Sequence, residues 1–275
     1  MKLSIDTRVG LSHGGPMPVF GLGVYQAGAG RSTVDAVTWA LEAGYRHIDT
    51  AAMYANEREV GQAVRASGIP REEIFVTTKL WNSDHGYERA LNAFDESIGN
   101  LGFEYVDLYL IHWPVENLRH DSWRALEQIL KQGRAKAIGV SNYTVSHLEE
   151  LLGRCETPPA VDQVEFHPFL YQSRLLDYCR SHNIILESYS PLTKGQRLGD
   201  KRLVATAAKY GRSVAQIMIR WALQHDLVVI PKSSNKDRIR GNAAVFDFEL
   251  SGEDMSYLDG LNENHHVTWD PTDAP

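Results

Sequence analysis

IFVTTKLWNSDHGYERALNAFDESIGNLGFEYVDLYLIHW, residues 74–113, contains a strand, a helix and a second strand in one stretch. IFVTTKLW (74–81) and YVDLYLIHW (105–113) are short runs rich in β-branched and aromatic residues, and the segment from about 86 to 100 carries a helical pattern. A helix between two strands is the connection that parallel pairing needs. Both runs close on a polar residue near the strand end, Lys79 in the first and His112 in the second. Lys79 sits inside an apolar run, where a charge requires a partner.

The same rhythm extends in both directions. The spacing predicts strands at VFGLGVY (19–25), YRHID (45–49), AKAIGVSN (135–142), AVDQVEFH (160–167), IILESYS (184–190) and LVVIPKS (227–233), besides the two above. Helices are expected at 31–43, 56–67, 121–132, 144–153, 173–181, 200–210 and 213–225, with 235–242 and 251–261 closing the chain. Ahead of them, KLSID (2–6) and GLSHG (10–14), joined by Thr7-Arg8-Val9, suit a small hairpin. Eight strands separated by helices favour closure as a (β/α)8 TIM barrel over an open doubly wound sheet. The 275 residues compare with the roughly 250 such a barrel needs, and no low-complexity linker interrupts them, so 1–275 is expected to be one domain.

A hydrophobic content of 43% and a charged content of 23% are ordinary for a soluble enzyme. The formal net charge of −7 argues against a nucleic-acid-binding surface. MKLSIDTRVG has no apolar core of signal-peptide length, and no run approaches the ~18 apolar residues of a membrane span. A cytoplasmic protein without a membrane partner is the expectation, and a monomer, since no exposed apolar stripe is evident. Cys155 and Cys179 are expected as reduced thiols. The eleven histidines form no HExxH or HxH pattern, and no metal site is expected.

In such a barrel the active site lies where the strands end. Asp49, Lys79, His112, Ser141, Asn142, Gln163, Tyr189, Ser190, Lys232 and Ser233 all fall at such ends, and Tyr54 follows Asp49 closely. Each has a plain structural reading: Asp49 as a cap, Tyr54 as a half-buried aromatic, Lys79 as one half of an ion pair, His112 as a core histidine. Their convergence at one mouth favours an acid–base site. A phenol titrates near pH ~10, too high for neutral work, and the expectation is that a lysine beside it lowers that value while an aspartate holds the lysine charged. Tyr25, Trp81 and Trp113 follow strands at the same face and suit the wall of an apolar substrate pocket beside His112.

Nucleotide motifs are incomplete. Gly21-Leu22-Gly23 and Gly28-Ala29-Gly30 both lack the third glycine of GxGxxG, and GxxxxGK[ST] is absent. The late segment IPKSSNKDRIRGN (230–242) offers Lys232 and Arg238 around Ser233, Ser234 and Asn235 just before a short helix, a combination that suits a phosphate.

Taken together, GYRHIDTAAMYANEREVG (44–61), VDLYLIHWP (106–114), AIGVSNY (137–143), QVEFHP (163–168) and IPKSSNKDRIRGN resemble the signatures of the aldo-keto reductases. The resemblance runs in order from about residue 10 to residue 262, and is strongest to short bacterial members that reduce glyoxals and 2,5-diketo-gluconate. It implies NADPH-dependent reduction of small dicarbonyls and keto-sugars to alcohols, with NADH the weaker alternative cofactor. Tyr54 would be the proton donor, Lys79 and Asp49 its tuning pair, and His112 the residue orienting the carbonyl. Ser141, Asn142 and Gln163 would bind the nicotinamide carboxamide, and Tyr189 would stack on its ring. Ser190, Pro191 and Leu192 would run beside the pyrophosphate. Lys232, Ser233, Ser234, Asn235 and Arg238 would surround the 2′-phosphate, and Asn242 would face the adenine.

Departures from the family pattern stand at Gly241, where many members carry glutamate, at Asp162, where asparagine is common, and at Asn235, often Thr or Arg. TKGQRLGD (193–200) is short, so no long loop is expected to fold over the cofactor. Two other readings remain: a redox-sensing subunit that binds NADPH with little turnover, and an unrelated barrel lyase or isomerase using Lys79 as a Schiff base. Asp49 opposes the second by keeping the lysine protonated.

Overall fold

A computed structural model of the chain describes residues 3–274. Lys2, at the start of the expected hairpin, and Pro275, at the end of the tail, lie outside the described residues. Eight strands form one parallel sheet in sequential order: β3 (Leu22–Gly23), β4 (His47–Asp49), β5 (Phe75–Leu80), β6 (Val106–Ile111), β7 (Ala135–Ser141), β8 (Val161–Glu165), β9 (Ile185–Tyr189) and β10 (Val228–Val229). Parallel bridges Phe20–Val229 and Gly23–Lys232 join first strand to last, with Gly21 N–H donating to Val229 O and Val229 N–H to Val19 O, both at 3.0 Å. The sheet therefore closes into the (β/α)8 barrel. The outer helices include α1 (Arg31–Glu42), α2 (Glu57–Ala66), α3 (Tyr87–Leu101), α4 (Arg119–Lys131), α5 (Val145–Leu152), α6 (Ser173–Ser181), α7 (Lys201–Tyr210), α8 (Val214–Gln224), α9 (Lys236–Ala243) and α10 (Gly252–Asp259).

The N-terminal hairpin forms in a different register from the expected one. Arg8–Val9 (β1) pairs antiparallel with Met17–Pro18 (β2), so the residues read as the turn are a strand. Met17 is fully buried among Phe75, Leu108, Leu110, Ala137, Val161 and Val228. These are alternate residues of the barrel strands, so the hairpin plugs the barrel's lower end.

Alternation along the strands creates two cores. In β5, Phe75, Thr77 and Lys79 point to the barrel axis, while Val76 and Leu80 join the apolar layer under the helices. Thr78, on the outer face, donates to Glu57 of α2 at 2.6 Å and ties that helix to the strand. The interior is apolar at the hairpin end and becomes polar toward the strand ends, through His47, Asp49, Thr77, Lys79, Gln163 and Glu187, all buried.

Gly139 of β7 sits where the interior is tightest. A Cβ there would lie 2.5 Å from Val161 O and 2.8 Å from Leu110 Cδ2. Backbone of the neighbouring strand cannot give way cheaply, so Gly139→Ala is expected to cost about 1–3 kcal/mol. Urea denaturation checks this as a lowered midpoint with unchanged slope.

Candidate active site

Lys79 occupies the centre of the polar layer and is fully buried. Its Nζ donates to both carboxylate oxygens of Asp49 at 2.7 Å, to Thr50 O at 2.9 Å and to Tyr54 Oη at 3.3 Å. Four acceptors around one ammonium satisfy the demand that a charge places on an apolar strand. β4 and β5 are hydrogen-bonded neighbours, which puts Asp49 beside Lys79 without any long reach.

Tyr54 is not on a strand. It ends a 3-10 turn, Ala52–Tyr54, and Ala55 follows with a left-handed φ of 53°. The turn is fixed from below. Asn56 is buried, accepts from Thr50 Oγ1 at 2.7 Å and donates to Val24 O at 3.0 Å. These bonds hold both ends of the segment, so the phenol is placed as firmly as a strand residue. Its ring packs against Tyr25 (centroids 5.0 Å apart) and edge-on to His112 (5.6 Å), and His112 meets Trp81 edge-on at 5.1 Å. The expected substrate-wall residues Tyr25 and Trp81 thus border the same opening.

The electrostatics differ from the expectation on one point. Burial and the nearby Asp49 push the Tyr54 phenol well above its ordinary value, with Tyr189, Tyr25 and Glu187 adding in the same direction. The Lys79 ammonium, 3.3 Å from the phenol oxygen, favours the phenolate, but burial and the Asp49 charge outweigh it and the net shift is upward. Tyr54 therefore holds its proton throughout the neutral range. Burial also raises the Asp49 carboxyl, with Lys79 and Gln163 pulling against it. Burial and the Lys79 charge push His112 well below the ordinary imidazole value, so it is neutral at working pH.

Sequence reasoning missed Glu187 of β9. It is fully buried, its Oε2 accepts from Gln163 Nε2 at 2.8 Å, and that same nitrogen donates to Asp49 Oδ2 at 2.8 Å. Gln163 and Glu187 are register partners across β8 and β9. The signal was a carboxylate inside the apolar run IILESYS, of the same kind that singled out Lys79. His47, below them, lies 3.6 Å from Glu187 Oε1 and 3.3 Å from Thr77 Oγ1.

The remaining strand-end residues form a second chain of bonds. Ser141 Oγ donates to Gln163 O at 2.7 Å, and Asn142 Nδ2 donates to His112 O at 3.0 Å. Tyr189 Oη donates to Asn142 Oδ1 at 2.7 Å and meets Thr268 Oγ1 at 3.0 Å. Ser190, with φ 48°, turns the chain into Pro191 and Leu192, and the short 3-10 turn Thr193–Gly195 follows. Asp162 points the other way, buried with one oxygen unpartnered, and burial pushes its carboxyl well up.

At the far rim, Arg238 Nε donates to Ser233 Oγ at 3.4 Å. Asn235 is the N-cap of α9, its side-chain oxygen accepting from Arg238 N–H at 3.0 Å. Ser233 and Asn242 are buried and Ser234 is exposed. Burial and the Arg238 charge push the Lys232 ammonium down. Two cations close enough to repel each other, with a hydroxyl between them at a helix start, fit a phosphate group.

The C-terminal tail crosses the mouth. Glu165, at the end of β8, accepts from the N–H groups of Val267 at 2.8 Å and Thr268 at 2.9 Å, from the Thr268 hydroxyl, and from His167 at 2.8 Å. Lys194 donates to Val267 O at 2.9 Å, and Trp269 packs on Trp113 at 4.8 Å between ring centroids. The tail thereby becomes part of the wall that Trp113 begins, which the polar sequence of 263–275 did not disclose.

A (β/α)8 barrel with Asp49, Tyr54, Lys79 and His112 gathered at the strand ends and a cationic rim beside them has the form of a barrel enzyme. Comparison with known proteins carries this further. The profile of the Aldo/keto reductase family matches residues 20–263, and the chain belongs to that family. It is 50% identical to the glyoxal reductase of Bacillus subtilis over 271 residues, spanning 98% of each protein. Among solved structures it is similar to MGS-M4, an aldo-keto reductase from a deep-sea metagenome library, with a TM-score of 0.91, 46% identity, and 94% and 96% of the two chains covered. It is also similar to a Bombyx mori aldo-keto reductase in complex with NADP, with a TM-score of 0.89, 37% identity, and 97% and 95% covered. The protein is accordingly an oxidoreductase of carbonyl compounds, in a family that uses a nicotinamide cofactor. No helix among the described residues is long and apolar enough to cross a membrane.

Removing Lys79 tests the buried pair. Lys79→Met leaves the Asp49 carboxylate unopposed, and a loss of about 3–5 kcal/mol is expected at pH 8. With its counter-ion gone, Asp49 has a folded-state pKa raised further above the unfolded value, so the folded state binds the extra proton. The deficit relative to wild type should then be smallest in acid and grow as pH rises. Urea titrations at pH 5 and pH 8 check the sign.

Proposed function

We propose that this chain reduces small aldehydes and ketones, dicarbonyls and keto-sugars among them, to alcohols with NADPH, and that Tyr54 is the proton donor. The observation that carries the reading is the Lys79 ammonium held between the Asp49 carboxylate and the Tyr54 hydroxyl at the barrel mouth. The 50% identity to a glyoxal reductase supports the substrate class, and the NADP complex of the Bombyx mori relative supports the cofactor.

When bound, NADPH supplies the hydride that the carbonyl carbon accepts. The π-electron pair then moves onto the oxygen, and the residues around Tyr54 answer the growing negative charge. The phenol O–H donates to that oxygen as it becomes more basic, and Lys79 stabilises the phenolate left behind. Neutral His112 has one N–H to offer and holds no competing positive charge, which suits it to orient the carbonyl. The raised phenol is consistent with this role, since the group must keep its proton until the oxygen takes it. Solvent returns the proton to Tyr54 for the next turnover. Tyr25, Trp81 and Trp113 exclude water from the reacting carbon.

Lys232, Ser233 and Arg238 would hold the 2′-phosphate, with Ser234 and Asn235 at its edge and Asn242 toward the adenine. Ser190, Pro191 and Leu192 would flank the pyrophosphate. Ser141, Asn142 and Gln163 would meet the carboxamide, and Tyr189 would lie against the ring.

Tyr54→Phe is expected to lose on the order of 10²–10⁴ in kcat for methylglyoxal while binding NADPH as tightly as wild type. Near-normal turnover in that variant would remove the proton-donor role. Arg238→Ala should weaken NADPH by about tenfold or more and leave NADH nearly unchanged, because the loss falls on a charge-assisted contact that only the 2′-phosphate makes. Fluorescence titration with both cofactors checks it, and equal losses would argue against a phosphate contact at Arg238.

A further inference from the structure

We propose that Glu187 is a positioning residue for the proton-transfer group, fixing the direction of the Gln163 amide and, through it, the charge balance of the Asp49–Lys79 pair. This rests on the reading of Tyr54 as proton donor.

The argument starts from the two hydrogens of one amide nitrogen. Gln163 Nε2 lies 2.8 Å from Asp49 Oδ2 and 2.8 Å from Glu187 Oε2. An amide nitrogen only donates and an amide oxygen only accepts. Turning Gln163 over would set its oxygen against the Asp49 carboxylate, so the nitrogen stays toward the pair, and Glu187 Oε2 takes its second hydrogen. Its oxygen is then the end left for a donor from outside, which is what a carboxamide N–H would require. With Glu187 gone, one acceptor remains and the amide is no longer held from both sides.

The charges around Glu187 make it more than a clamp. Facing it are Asp49 and His47 from β4, Thr77 and Lys79 from β5, and Gln163 from β8. His47 contributes no charge, since burial and Lys79 push it down to about 3. One ammonium thus faces two carboxyl groups, and Asp49 takes it with both oxygens. Glu187 is the surplus acid, and burial together with the Asp49 charge pushes it up to about 8. It is protonated in the neutral range and ionises as the medium turns alkaline. The new anion then works on its neighbour with a definite sign: it holds the Tyr54 phenol protonated to higher pH. Carbonyl reduction, which needs that proton in place, persists further into alkali because Glu187 is there.

The test compares Glu187→Gln and Glu187→Asp with wild type, each checked by thermal melting, using methylglyoxal as probe substrate and NADPH as cofactor. In Glu187→Gln the alkaline limb of kcat should move down by about one pH unit. NADPH should also bind several-fold more weakly, because an amide offers one accepting oxygen to Gln163 Nε2 where the carboxyl offers two. In Glu187→Asp the charge remains but the carboxylate withdraws from Gln163, so the limb should stay near wild type while NADPH weakens. An alkaline limb of Glu187→Gln that superimposes on wild type overturns the proposal, whatever happens to the rate. If Glu187→Gln does not fold, wild-type NADPH affinity in Glu187→Asp overturns it instead. Failure of the underlying reading shows separately: Tyr54→Phe would then keep its turnover, while the NADPH titrations of the Glu187 variants would still report on the amide.

Discussion

An ammonium group at the centre of a parallel barrel has to be neutralised within reach of its own strand. That constraint organises the mouth of this protein. Asp49 arrives on the adjacent strand and binds Lys79 through both oxygens, the carbonyl of Thr50 takes a third hydrogen bond, and the phenol of Tyr54 is drawn to the same nitrogen. Because the segment from Thr50 to Asn56 is pinned by its own buried bonds, the phenol has little freedom to leave. The same set of bonds thus stabilises a buried charge and places an acid where a carbonyl oxygen can meet it.

The polarity gradient along the barrel axis follows from where the sheet can be sealed. At the lower end the hairpin covers alternate strand residues with Met17, and the interior there is apolar. Toward the strand ends polar side chains face inward in a connected layer. Burial without full exposure to water is what shifts the titrations of Tyr54, His112 and Glu187 away from their ordinary ranges. The chemistry proposed for the site uses those shifts: a phenol that keeps its proton and an imidazole that stays uncharged.

Much of this was legible in the chain. β-branched runs alternating with helical periods located the eight strands and the principal helices within a few residues, because both are long-range patterns that a 275-residue sequence repeats many times. Lys79 was legible for a sharper reason, as a charge placed in an apolar run. The same rule applied to Glu187 and was not followed there, since a lone carboxylate near Ser-Tyr-Ser also reads as a strand end. The hairpin register was not legible, because two-residue strands have no period to read. The direction of the Tyr54 shift was not legible either: it depends on how deeply the phenol is buried and how near the Asp49 charge lies, which spacing along the chain does not show. The capping bond that Asn235 Oδ1 makes to α9 was not legible either, because the segment's cations and hydroxyls drew the reading toward a phosphate.

Glu165 grips the tail largely by main-chain groups, the N–H of Val267 and the N–H of Thr268, and Lys194 takes the Val267 carbonyl. A clamp of that kind is nearly blind to the side chains it holds, apart from Thr268, whose hydroxyl also reaches Glu165 and Tyr189. Trp269, which faces Trp113 and is largely exposed, is attached to an anchor that does not depend on its identity. Anchorage and pocket lining are therefore separable, and the residues of this strap are free to drift, or to be exchanged in the laboratory, without unfastening the strap itself. A scaffold built this way can vary the wall beside Trp113 through its tail while the Asp49–Lys79–Tyr54 cluster is left untouched.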